Sequence, residues 1–247
     1  MVLLLTLLVG FFIILGTVLV FFTNNNKKFI NFSICVAFGV MISLGILEIL
    51  PETYKIITEH INIPLNIFVL AISLLIGMAL LKVLDKFISD HEHNHTHDHE
   101  HKLNLYHIGI VSSLMLVVHN VIEGIALYNT LIISFKSGVM MCIGIGIHNI
   151  PLGMVIASTF YKKNKSKLKT FLITLLISLS TFVGGIIAYI YVMNELLEGI
   201  LLAVTLGMII YITIFELLNQ IKEIKNKKIV IIGITLGIIL MIISMLL

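Results

Sequence analysis

Apolar residues fill the chain in stretches of about twenty, the length at which a helix crosses the hydrocarbon core of a bilayer, and short polar breaks separate them. Cutting at those breaks predicts eight spans, at about 2–22, 30–50, 64–82, 105–128, 133–160, 168–193, 196–219 and 228–247. No lysine precedes the first span and no small-residue cleavage site follows it, so it reads as a retained helix rather than a signal peptide. The expected fold is an all-α polytopic membrane protein, a single transmembrane domain over 1–247 with one polar loop at 88–103. An even number of spans puts both termini on one side.

Composition removes the soluble alternatives. Hydrophobic residues make up 59% of the chain, charged residues only 12%, and the mean hydropathy is +1.12. A soluble surface needs roughly a quarter of its residues charged. This excludes a cytosolic enzyme, a nucleic-acid-binding domain and a disulfide-stapled secreted module. Cys35 and Cys142 lie in apolar segments without metal-ligand spacing and read as packed free thiols. All sixteen basic residues are lysine, and isoleucine and asparagine are abundant, a bias expected of an AT-rich bacterial genome.

The lysines also orient the chain. The breaks after the first, third, fifth and seventh spans hold all of them except Lys55 and Lys136. The other breaks carry Glu52, Glu59, Glu195 and Glu198. By the positive-inside rule the lysine-rich side faces the cytoplasm, so both termini lie outside, at a bacterial plasma membrane.

A faint repeat runs through the pattern. Gly39 and Glu48 of the second span stand nine positions apart among apolar residues, as do Gly207 and Glu216 of the seventh. Those spans cross in opposite directions, so the match predicts an inverted repeat, with the first three spans related to the last three around the fourth and fifth. Chance likeness between glycine-bearing apolar helices is the competing explanation.

Charged and imidazole groups inside spans are costly and mark function. The fourth span carries His119, Asn120 and Glu123, and the fifth carries His148 and Asn149. His119 and Glu123, four apart, share a helical face. A short outer connection would bring the two His-Asn pairs to similar depth. Two imidazoles, a carboxylate and two amide oxygens suit zinc and, more loosely, iron, manganese or cobalt. Pro151 frees the carbonyl of Ile147 beside His148, and Gly144, Gly146 and Gly153 would admit the fourth span or a hydrated ion. Either asparagine alone fits interhelical hydrogen bonding equally well. In the loop, His91, His93, His95, His97, His99 and His101 alternate with small polar or acidic residues, a pattern that binds several divalent ions weakly or stays a solvated disordered tract.

Together these motifs resemble the ZIP family of divalent metal transporters. His119-Asn120-x-x-Glu123-Gly124, His148-Asn149-x-Pro151, the histidine-rich loop and Glu48-Ile-Leu-Pro51-Glu52 carry the resemblance over essentially the whole chain. It implies secondary import of a divalent metal as substrate, commonly zinc, with iron or manganese as alternatives. It also implies a homodimer and an elevator-like motion. No cofactor, enzyme activity or nucleic-acid partner is expected, and His-Glu-x-x-His of the metalloproteases is absent. Two positions depart from the family pattern: Leu152 stands where a bridging glutamate is usual, and Thr181 where the sixth helix usually has an acid. With one carboxylate, Glu123, the expectation is a single-metal site. The competing function is a non-transporting metal sensor or membrane scaffold derived from the same fold.

Overall fold

A computed structural model describes residues 1–23, 26–92, 105–164, 166–191 and 194–246. Among these residues there is no strand, and eight helices are long and apolar enough to cross a membrane. They are α1 (Val2–Phe22), α2 (Lys27–His60), α3 (Leu65–Glu92), α4 (Leu105–Ile133), α5 (Phe135–Asn164), α6 (Lys167–Ile190), α7 (Glu195–Lys222) and α8 (Lys227–Leu246). Local chemistry sets several of the starts. Asn26, Ser166, Asn194 and Asn226 each accept a backbone N–H of the turn that follows, occupying one of the donors a helix start leaves open.

Some boundaries differ from the sequence expectation. The second span does not stop near Leu50 but continues as helix to His60. Pro51 falls in the first turn after a π-helical segment, Leu44–Ile49, and the helix continues through it. The third helix extends through 88–92, so that part of the polar loop is helical, while 93–104 lies outside the described residues.

The repeat seen at two residues extends through the first two spans of each half. One sequence interval relates Phe11, which breaks α1, to Leu179, which breaks α6. The same interval relates Gly16 to Gly184, the cap Asn26 to the cap Asn194, and Leu44–Ile49 to Ile212–Leu217, the second π segment. Burial follows the same pairing. Of the most apolar window, 67% is buried in both α2 and α7, 56% in both α4 and α5, and 22% in both α3 and α8. Thus α2, α4, α5 and α7 form the centre, and α3 and α8 the rim.

Four extensive helix pairs also form two related sets: α2 with α8 matches α7 with α3, and α4 with α6 matches α5 with α1. Glycine makes each of them close. A Cβ on Gly39 would overlap the Ile234 carbonyl oxygen of α8, and one on Gly207 the Leu74 carbonyl oxygen of α3. Gly124 is pressed likewise against Thr181 of α6, and Gly153 against Ile13 of α1. Without a hydrophobic drive between helices in lipid, such backbone proximity supplies the packing energy. The chain is thereby divided into two four-helix bodies, α1, α4, α5, α6 and α2, α3, α7, α8.

Candidate metal centre

With their glycine faces turned to α6 and α1, α4 and α5 meet each other through their polar residues. His119 and Glu123 are one turn apart on α4, and the Glu123 carboxylate reaches across to α5. Its Oε1 lies 2.9 Å from Nε2 of His148, a hydrogen bond between the helices, and 3.0 Å from Nε2 of His119 at an angle poor for one. One donor atom from each residue fits within 4.8 Å of the others. Among the described residues no other group of three or more His, Cys, Asp or Glu comes together in this way. The exposures of His119, Glu123 and His148 are 1%, 7% and 1%, so the cluster is buried within the helix bundle.

Asn120 and Asn149 are completely buried beside the histidines. Among the described residues neither amide oxygen nor nitrogen of either residue has a hydrogen-bond partner, nor do Glu123 Oε2 and the Nδ1 atoms of His119 and His148. A buried polar atom without a partner costs about 1–3 kcal/mol. So many in one place are a poor arrangement for a core that only packs. Two imidazole nitrogens and a carboxylate oxygen form a borderline N/O donor set, suited to zinc and its neighbours rather than to alkali ions.

The family described as ZIP zinc transporter matches residues 88–245, well over half of the chain. The chain belongs to the ZIP family. It is a multi-pass membrane protein of a transporter family, not an enzyme. Relatives named zinc transporter ZupT match almost end to end. The one from Clostridium perfringens is 28% identical over 99% of this chain and 94% of its own. Those from Streptococcus mutans and Chlorobium limicola are 27% and 28% identical over 98% of this chain and 96% of theirs.

Two positions where this ZIP chain departs from the family pattern have distinct surroundings. Leu152, at the place in α5 that Glu123 holds in α4, is buried among apolar side chains. Thr181 meets α4 with its backbone, at Gly124, while its hydroxyl faces Gly10 of α1. The glycines beside Pro151 also differ from expectation. Gly144 faces Ser244 of α8, Gly146 the ring of Phe12, and Gly153 the backbone of Ile13, so they admit neighbouring helices rather than α4 or an ion. A small residue fits whichever helix arrives first, and the sequence does not say which.

One acid near the centre escaped the sequence reading as a site residue. Glu48, half-buried in the π segment of α2, lies close enough to His148, Glu123 and His119 to interact with all three electrostatically. Glu52 interacts with Glu48, Glu198 and Glu123 as well, which lays a line of carboxylates toward the C-terminal end of α2 and the N-terminal end of α7. The glycine-glutamate echo was the available signal. His91 lies in the last turn of α3, and His93, His95, His97, His99 and His101 lie outside the described residues.

Proposed function

We propose that this chain is a secondary transporter that imports divalent transition metal ions, zinc first and iron or manganese next, across a bacterial plasma membrane. The observation that carries the reading is the buried convergence of His119, Glu123 and His148 on α4 and α5. The names of the ZupT relatives support zinc as the substrate. His119, Glu123 and His148 are the ligands, with Asn120 and Asn149 as weaker oxygen donors, and a single ion binds at a time. A second dication beside the first would face only one carboxylate between α4 and α5 in a low-dielectric interior.

The ion arrives from the outer side, where both termini lie, along Glu52 and Glu48. It exchanges hydration water for imidazole and carboxylate, and leaves toward the lysine-rich cytoplasmic side. The α1, α4, α5, α6 body carries the site and shifts against α2, α3, α7 and α8 in an elevator-like motion, in a homodimer within the lipid bilayer. The loop at 88–103 holds further ions weakly through His91, His93, His95, His97, His99 and His101.

The test is uptake of zinc, iron or manganese by proteoliposomes, compared with His119→Ala; equal uptake by both proteins removes the site. The apolar burial of Leu152 favours a second reading, a metal sensor or scaffold without flux. Saturable binding with no transport would select it.

A further inference from the structure

Immediately on the lysine-rich side of the ligands the interior turns apolar. A cavity of about 20 Å³ lies there, lined by Ala37 and Met41 of α2, Leu116 of α4, Leu152 of α5, and Ile212 and Leu217 of α7, among others. Leu116 precedes His119 by one turn of α4, and Leu152 follows His148 by one turn of α5, so both lie next to the donor set on the same side of it. Every lining residue is buried.

A space of this volume holds about one water, but a water needs two or more polar partners to stay. None of the lining side chains offers a strong one, so the cavity is dry. A divalent ion cannot cross such a gap, because nothing replaces its hydration shell. The opposite side of the donor set carries Glu48 and Glu52. The centre therefore has Glu48 and Glu52 on one side and a dry collar on the other, with the buried Glu216 of α7 next to Leu217 in sequence but not among the cavity's lining residues.

We propose that Leu116, Leu152, Ile212 and Leu217 form the closed inner seal of the pathway, a hydrophobic constriction that opens by wetting when the two bodies shift. The proposal rests on the transport reading and gives Leu152 a positive role. In place of a second carboxylate, this chain has a sealing side chain one turn below the site. The seal is built across both bodies, since α4 and α5 face α2 and α7 there, so a relative shift would part it without breaking either body.

The test is the reaction of a membrane-impermeant methanethiosulfonate, applied from the lysine-rich side of oriented vesicles, with single cysteines in a Cys35→Ser, Cys142→Ser background. Leu116→Cys should react at least about tenfold more slowly than Lys222→Cys at the exposed end of α7, and Leu152→Ser added to it should raise its rate about tenfold, a factor corresponding to about 1.4 kcal/mol in the opening equilibrium. Leu217→Ser repeats the wetting from α7 should Leu152→Ser fail to fold. Reaction of Leu116→Cys as fast as Lys222→Cys, or no response to either serine, overturns the seal. The reagent's access does not depend on zinc flux. A vesicle preparation that shows the accessibility pattern but takes up no metal would count against transport and leave the constriction standing.

Discussion

Nε2 of His148 and Oε1 of Glu123 stand 2.9 Å apart and hold α5 to α4 through the polar centre of the molecule. If these atoms and His119 are the ligands, Glu123→Gln, which keeps the volume and removes the negative charge, should weaken zinc binding severely. The loss should exceed the roughly 10–100-fold that removing a ligand's supporting partner costs at metal sites. Isothermal titration of the detergent-solubilised protein measures it, and an unchanged affinity would mean the ion binds elsewhere.

Leu152 holds the α5 position that Glu123 holds in α4, and a carboxylate there would make the donor set symmetric. Leu152→Glu should raise bound zinc from one ion per chain to two, read by metal analysis after gel filtration. Leu152→Gln supplies the control for added polarity without charge. Two ions already present in the unmodified protein would remove the single-ion reading.

The glycine contacts predict a different kind of damage. Gly124→Ala places a methyl group against the backbone of Thr181, which cannot rotate away, and overpacking of this kind costs about 1–3 kcal/mol. Gly45→Ala meets the end of the flexible Leu206 side chain, 3.2 Å away, and Ile209 at an ordinary 3.8 Å, and should be mild. Thermal unfolding followed by fluorescence-detected gel filtration ranks the two, and equal midpoints would mean the α4–α6 contact is looser than described.

Removing residues 91–101 deletes six histidines without touching the α4–α5 donors. The number of weakly bound ions should fall while the affinity of the strongest site stays within about twofold, since distant sites act independently. Competition with a graded series of chelators separates the two classes, and loss of the strongest site would tie the loop to the centre.

Much of this was legible in the sequence, for a physical reason. Bilayer thickness fixes span length, and the expense of buried ionisable groups leaves very few to consider, so eight spans and the His119, Glu123, His148 cluster could be read directly. What could not be read depends on which helix lies beside which. The break at Phe11 directly follows Gly10, but the related break at Leu179 lies between two serines with no glycine or proline, so no shared local signal announces the pair. The π segments around Glu48 and Glu216 add no residue type of their own, and they change only the direction in which a carboxylate projects. For the same reason Glu48 was visible as half of an echo and not as a neighbour of His148.

The four glycine contacts have a consequence for how the bilayer acts on the molecule. Contacts between a glycine and a carbonyl involve no side-chain rotamers, so they give up no rotamer entropy on forming and have little slack to absorb lateral pressure. Each body should therefore respond to membrane thickness as a stiff block. Around the cavity the surface between the bodies is mostly leucine, isoleucine and methionine, which can slide and repack, although a hydrogen bond from Asn129 of α4 to Glu198 of α7 crosses it elsewhere. Hydrophobic mismatch costs fractions of a kcal/mol per Å. Concentrated on that one compliant surface, it would make lipid chain length a control on the balance between outward and inward states while leaving the ligand geometry untouched.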